Sequence, residues 1–173
     1  MPMRNAKLRR SRCALKAAIV AVAAMIFWFS AQTGDESGRA SGAVVEFILS
    51  IIVPGYRGLS PTNRAQLMER AGLIVRKLAH FTEFALLGGL LAADWALGRT
   101  DGRALPALTP AWAVATLYAC TDELHQMFVA GRGPSPMDVG IDSLGALAGA
   151  AAAMVMLARR KRRASRPPGA RDG

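Results

Sequence analysis

Four long apolar segments set the strongest limit on what this chain can fold into. Each has about the 20 residues that an α-helix needs to cross the hydrocarbon core of a bilayer. A helix satisfies its own backbone hydrogen bonds in lipid, so the segments predict an all-α fold. The expected architecture is an integral membrane bundle of four transmembrane helices plus short outer amphipathic helices. The four segments are Ala14–Ala31, Leu78–Leu97, Ala104–Phe128 and Val139–Ala158.

Positive charge is concentrated at the two ends of the 173-residue chain. Residues 1–16 hold six of the 22 Lys and Arg residues, and residues 159–173 hold seven, against the single acid Asp172. Basic clusters beside apolar segments hold helix ends in the cytoplasm. We therefore predict a basic cytoplasmic arm at 1–16, a membrane domain at 17–158 and a disordered basic cytoplasmic tail at 159–173. Two cytoplasmic ends require an even number of spans, and no nucleic-acid partner is expected.

The connection between the first two spans is predicted to lie outside the membrane. Residues 32–42 are rich in Gly and Ser and predict a loop. Apolar residues then recur at helical spacing from Val44 to Ile52, which is too short to span and predicts an interfacial helix. Pro61 is typical of a helix start. The amphipathic stretch 63–74 should continue through Arg76 and Lys77 into the second span.

Ionisable side chains interrupt three of the four apolar segments. A charged residue in the middle of a bilayer costs roughly 2.5–3.5 kcal/mol on insertion scales, so such residues need partners or a function. With both termini in the cytoplasm, these residues fall together at the outer end of the bundle. The candidates are Lys77 just before the second segment, His80 and Glu83 within it, Asp122, Glu123, His125 and Gln126 in the third, Arg132 in the following loop, Asp138 just before the fourth segment and Asp142 within it.

One interpretation of this cluster is a binding site for an anionic head group at the outer leaflet. Lys77, Arg132 and Gln126 would bind its phosphate or carboxylate, because their N–H groups donate hydrogen bonds to anionic oxygens. If a reaction follows, a histidine would serve as the acid or base. The candidate catalytic residues are His80, Glu83, Asp122, Glu123 and His125.

Two other interpretations stay open. The carboxylates, Asp138 and Asp142 among them, could form a structural network with the cations, although buried ion pairs often only break even against apolar packing. Alternatively, His80 and Glu83 place an imidazole and a carboxylate one helical turn apart, as helix-borne metal sites do. Asp122 and His125 repeat that spacing. The sequence assigns no particular metal or cofactor.

Several motifs occur in an order that resembles the VanZ-like family. They are Phe-Ser-x-Gln at 29–32, Lys-x-x-His-Phe-x-Glu-Phe at 77–84, Asp-Glu-x-His-Gln at 122–126, Gly-Arg at 131–132 and Asp-x-x-x-Asp-x-x-Gly at 138–145. The resemblance covers about residues 25 to 158. This chain has Phe84 where that family often has Tyr, and Asp142 where it often has Asn.

The resemblance implies a bacterial inner-membrane protein, in a family named after a teicoplanin-resistance protein from glycopeptide-resistance gene clusters. We therefore expect a multi-pass cell-envelope protein that binds or modifies a lipid-linked or peptidoglycan-related anionic group, with a link to teicoplanin resistance. Membrane lipid, a lipid-linked cell-wall precursor and a second copy of the chain are the candidate partners. The alternatives are a metal-dependent intramembrane hydrolase and a non-catalytic scaffold that binds a partner through the small-residue seam of Gly145 and Gly149.

Overall fold

The computed structural model of the protein describes residues 2–99 and 105–164. It is 88% helical, and the described residues contain no strand. The all-α prediction is therefore confirmed. The helices are α1 (Pro2–Ser30), α2 (Gly34–Ile52), α3 (Pro61–Gly98), α4 (Leu108–Gln126) and α5 (Pro136–Ala164), with single 3-10 turns at Tyr56–Gly58 and Leu105–Ala107.

Three helices in the described part of the chain are long and apolar enough to cross a membrane. They are Leu8–Ser30 in α1, Pro61–Gly98 and Pro136–Ala164. The sequence predicted four spans, and α4 is the one that does not qualify. It has 19 residues, but its last turns carry Asp122, Glu123, His125 and Gln126, which lower its mean hydropathy. The protein is thus an all-α membrane protein with three candidate spanning helices.

The central contact of the bundle is a close crossing of α3 and α5, which run parallel. Glycines make the close approach possible, because a Cβ at Gly145 would overlap the backbone carbonyl of Phe81. A Cβ at Gly149 would overlap that of Ala85. The small-residue seam is thus confirmed as a site of close helix approach. However, it is filled by α3 of the same chain, so the predicted scaffold would have to bind its partner elsewhere.

The α4 helix packs antiparallel to α3 and α5 through a stripe of alanines. Ala111, Ala115 and Ala119 recur every four residues, so they share one face of the helix, and all three are fully buried. Phe84, the largest of the fully buried side chains, packs with Ile26 of α1 beside this stripe. Small side chains on α4 and large ones on α1 and α3 fill the space between the four helices.

An ion pair joins α1 to α3 at the end of the bundle where α1 begins. The guanidinium of Arg12 donates hydrogen bonds to both carboxylate oxygens of Asp94, with Nε 3.0 Å from Oδ1. Asp94 lies 14 positions after His80 on α3, about 21 Å along the helix at 1.5 Å per residue. The two helices are antiparallel, so α1 carries the chain from this end to the end where the polar residues gather.

The predicted loop at 32–42 is wrong, because α2 already begins at Gly34. A capping box starts it: the Thr33 side chain accepts a hydrogen bond from the Glu36 backbone N–H, and the Glu36 carboxylate accepts one from the Thr33 N–H. These bonds satisfy N–H groups that a helix start leaves unpaired, which outweighs the low helix propensity of Gly and Ser. The predicted short helix at 44–52 is the second half of this longer helix.

The prediction of one continuous helix from Pro61 into the second span is confirmed. Pro61 stands at the start of α3, and the Ser60 side chain accepts a hydrogen bond from the Asn63 N–H at 3.3 Å. The first turns of α3 hold the end of α2 through a separate apolar cluster. In that cluster Val45, Leu49 and Tyr56 are buried.

The two predicted basic segments are only partly described. The arm at 1–16 belongs to α1 from Pro2 onward. The tail predicted as disordered at 159–173 begins as helix, since α5 continues to Ala164. Residues 165–173 of this tail, and residues 100–104 between the second and third apolar segments, lie outside the described part of the chain.

Candidate functional site

The polar residues singled out from the sequence gather at one end of the bundle, around a cavity of about 360 Å³. The cavity lies between α3, the end of α4, the start of α5 and the loop that joins α4 to α5. Seven of the ten predicted site residues line it: Lys77, His80, Glu123, Gln126, Arg132, Asp138 and Asp142.

The other three predicted residues lie outside this cavity. Glu83 lines a smaller neighbouring cavity of about 190 Å³, which also has walls from α1 and α2. Asp122 is buried against the end of α1. His125 turns toward α1, where its ring stacks on Phe27 with 4.7 Å between the ring centroids. The five candidate catalytic residues therefore do not all line one cavity.

Arg132 joins the loop between α4 and α5 to the end of α1 through hydrogen bonds. Its Nε donates to the Gln32 carbonyl at 2.9 Å, and its Nη2 donates to the Phe29 carbonyl at 2.8 Å. Carbonyls at a helix C-terminus have no partner within the helix, and the guanidinium supplies one. Burial, and then the like charge of Arg76, lowers the pKa of the Arg132 guanidinium. Arg132 thus holds the fold together while it lines the cavity.

A buried hydrogen-bond network joins α1 to α4 beside the cavity. Ser30, the last residue of α1, donates to Asp122 Oδ2 at 2.7 Å. Gln126 Nε2 donates to the same oxygen at 2.9 Å, and its Oε1 accepts from Arg132 Nη1 at 3.4 Å. Ser30 and Asp122 are 0% and 4% exposed, so neither can meet a ligand without movement of the helices. These residues fix the positions of the groups that line the cavity.

Two polar contacts hold the first turn of α5 against α3 and α4. Lys77 forms an ion pair with Asp138, and Glu123 accepts a hydrogen bond from the backbone N–H of Ser135. Lys77, which the sequence analysis assigned to anion binding, therefore already has a carboxylate partner within the chain. A ligand anion would have to compete with Asp138 for it.

A family model described as VanZ/LLP1 matches residues 16–157, most of the chain. The chain belongs to the VanZ/LLP1 family. The resemblance seen in the motifs is thereby confirmed. No curated protein and no solved structure matches the chain.

In this VanZ/LLP1 protein, the motifs meet each other in space. Ser30 of the first motif bonds Asp122 of the third, and Lys77 of the second pairs with Asp138 of the last. Arg132 of the Gly-Arg motif bonds both the first motif and Gln126 of the third. Motifs that lie far apart along the chain thus build one end of the bundle.

Phe84 and Asp142, the two positions set apart in the motif comparison, fall in different surroundings. Phe84 is fully buried in the core, with its ring centroid 6.1 Å from that of Tyr118, so it belongs to the packing of the bundle. Asp142 lines the cavity and is 3% exposed. Its Oδ1 has no hydrogen-bond partner among the described residues. The carboxyl group of Asp142 therefore stands at the site itself.

Arg76 lines both cavities and was not singled out from the sequence. Its Nε is buried without a hydrogen-bond partner among residues 2–99 and 105–164. A signal was present, because Arg76 stands four residues before His80 and so shares its helix face. The neighbouring Lys77 was predicted as an anion-binding residue instead.

The ligand geometry gives no support to a metal centre. In the part of the chain that the structure describes, no three His, Cys, Asp or Glu side chains are placed to hold a metal ion. The helical pairs that suggested one are separated: His80 lines the cavity, whereas His125 lies against Phe27. The hydrolase alternative therefore lacks a ligand set among these residues.

Proposed function

We propose that this VanZ/LLP1 protein is a multi-pass protein of the bacterial cytoplasmic membrane that binds an anionic group at its outer face. The group is the phosphate or carboxylate of a lipid-linked or peptidoglycan-related molecule. The observation that carries the proposal is that Arg76, Arg132 and His80 line one cavity.

The arrangement of charges supports an anion as the ligand. Arg76 and Arg132 line the same cavity, and the positive charge of Arg76 contributes to lowering the pKa of Arg132. Two guanidinium groups in a partly buried cavity are stabilised by a shared anion, and their planar N–H donors fit phosphate and carboxylate oxygens. Asp138 and Glu123 also line the cavity, but they already bind Lys77 and the Ser135 N–H. Asp142 is the remaining carboxylate of the wall.

The distribution of basic residues supports an outward-facing cavity. Arg12 lies near the beginning of α1, and the last turn of α5 carries Lys161, Arg162 and Arg163. Both groups are at the opposite end of the bundle from the cavity. Basic helix ends are retained in the cytoplasm, so this orientation places the cavity outside. It also requires α4 to cross the membrane as a fourth span.

The proposal covers binding, and a reaction would add a role for His80. Its Nδ1 is buried without a hydrogen-bond partner in the described residues, and its ring lines the cavity. The family resemblance extends the proposal to cell-wall chemistry and to teicoplanin susceptibility as a phenotype.

Binding of a small phosphate tests the proposal directly. Purified full-length protein in nanodiscs would be titrated with glycerol 3-phosphate by calorimetry. Arg76→Gln should weaken binding about tenfold or more, because it removes a charged hydrogen-bond donor from the cavity. Arg70→Gln is the matched control, since Arg70 is an exposed arginine on the same helix that does not line the cavity. Equal effects of the two variants, or no binding by the wild type, would overturn the proposal.

The cellular test uses the same pair of variants. In a strain that depends on this protein for teicoplanin tolerance, Arg76→Gln should restore sensitivity at unchanged protein abundance, whereas Arg70→Gln should not. If teicoplanin sensitivity rose only in variants with reduced protein abundance, the structural-network interpretation would be favoured.

A further inference from the structure

A second cavity adjoins the first and opens a different route to the same residues. It has a volume of about 190 Å³ and lies between the end of α1, the first half of α2 and α3. Arg76, His80 and Arg132 line both cavities, so these three side chains form the boundary between them. The two spaces therefore meet at the proposed anion site.

The second cavity exists because α2 packs on α3 through only one of its halves. The second half of α2 is held by the cluster of Val45, Leu49 and Tyr56. The first half presents small side chains to the cavity, namely Ser37, Ala40 and Ser41. Between them and α3 remains a cleft whose surface is mostly apolar. Glu83 is the acidic residue of its wall, one turn beyond His80 on α3.

The outer surface of α2 indicates what surrounds this cleft. Val44, Phe47 and Ile51 are 51%, 66% and 67% exposed, a degree of apolar exposure that water would disfavour. The amphipathic α2 would instead lie in the membrane interface with these side chains among lipid chains. The cleft beside α2 then faces the acyl-chain region, whereas the larger, more polar cavity holds the charged groups.

We propose that the anion is a phosphate carried by a membrane lipid, whose chain lies in the cleft between α2 and α3 while its phosphate reaches Arg76 and Arg132. This inference rests on the proposed function and narrows its ligand from any small anion to a lipid phosphate. A lipid would enter sideways from the bilayer, past Ala40 of α2 and Ala79 of α3. A free phosphate would use the polar cavity alone.

Two water-soluble ligands that share the same phosphate group distinguish a lipid phosphate from a free phosphate. The protein in nanodiscs would be titrated with dihexanoyl phosphatidic acid and with glycerol 3-phosphate. We expect the lipid to bind about tenfold more tightly or better, because its chain buries apolar surface in the cleft. Equal affinities would overturn the lipid inference and leave the anion site intact. If neither ligand binds, the proposed function itself fails.

Variants that fill the cleft test where the chain lies. Ala40→Trp should remove the advantage of the lipid and leave glycerol 3-phosphate binding within about twofold. Ala43→Trp is the matched control, because Ala43 is an exposed alanine of α2 that does not line the cavity. Ala79→Phe fills the cleft from the opposite wall and guards against misfolding of the first variant. A lipid preference that survives both Ala40→Trp and Ala79→Phe would overturn the inference.

Discussion

Ser30, the last residue of α1, donates a hydrogen bond to the buried carboxylate of Asp122 on α4, 2.7 Å away. The two residues are 92 positions apart in sequence, and both are almost completely buried. This bond links the first family motif to the third and sets the end of α1 beside the cavity. It therefore connects the packing of the bundle to the geometry of the site.

Ser30→Ala should destabilise the protein by about 1–3 kcal/mol, because it leaves a buried carboxylate with one donor fewer. The measurement is thermal unfolding in detergent, followed by circular dichroism. Ser50→Ala is the control, since Ser50 donates only to the Phe47 carbonyl within its own helix. A Ser30→Ala protein as stable as that control would show that Asp122 does not depend on this bond.

Gly149→Ala should destabilise the bundle by about 1–3 kcal/mol, because its Cβ overlaps the Ala85 carbonyl and forces α5 away from α3. Gly72→Ala is the matched control: Gly72 lies in α3 with no atom within 4 Å of an added Cβ. That control should be neutral or stabilising by about 0.5–1 kcal/mol through helix propensity. If Gly149→Ala and Gly72→Ala changed the unfolding midpoint equally, the close crossing of α3 and α5 would be contradicted.

Asp138→Asn should strengthen glycerol 3-phosphate binding about threefold to tenfold, because it releases Lys77 from its ion pair and removes a negative charge from the cavity. Lys77→Gln alone should weaken binding less than Arg76→Gln does. Calorimetric titration of the three variants provides the comparison. Weaker binding by Asp138→Asn would mean that the ion pair positions the site rather than competes with the ligand.

Cysteine accessibility in intact cells should separate four spans from three. In a background without Cys13 and Cys120, an impermeant maleimide should label Gly133→Cys and leave Arg160→Cys unlabelled. Both positions are exposed at the surface of the chain, at the two ends of α5. If α4 does not cross while the N-terminus is cytoplasmic, the pattern reverses. That reversal would put the start of α5 on the cytoplasmic side and the start of α3 outside, which would contradict the cavity between them and remove the outer-leaflet proposal.

Helix content and helix starts followed from local patterns. The continuity of α3 from Pro61 onward was predictable because a proline start and an unbroken helical pattern are properties of neighbouring residues. The start of α2 was not predicted, because the Gly and Ser content of residues 32–42 indicated a loop. Thr33 and Glu36 have the spacing of a capping box, and that signal decides the helix even among Gly and Ser residues.

The residues that line the site could be predicted only in part. Helical spacing placed Lys77, His80, Asp138 and Asp142 on faces that do meet, and seven of the predicted residues line the cavity. Spacing could not show that Lys77 is already paired or that His125 turns to Phe27. Those outcomes depend on which helix stands opposite each face.

An all-α membrane protein of the VanZ/LLP1 family could be predicted from the amino-acid sequence, together with the basic residues at the chain ends and the motifs that hold the polar residues. These properties can be read along the chain, because hydropathy, capping and the order of motifs depend on residues close together in sequence or on their order. The folded bundle was needed to show that Arg132 binds the end of α1, that α3 fills the glycine seam of α5, and that two cavities meet at Arg76 and His80. Such contacts arise between residues far apart in sequence, and they are fixed by how closely the helices can approach.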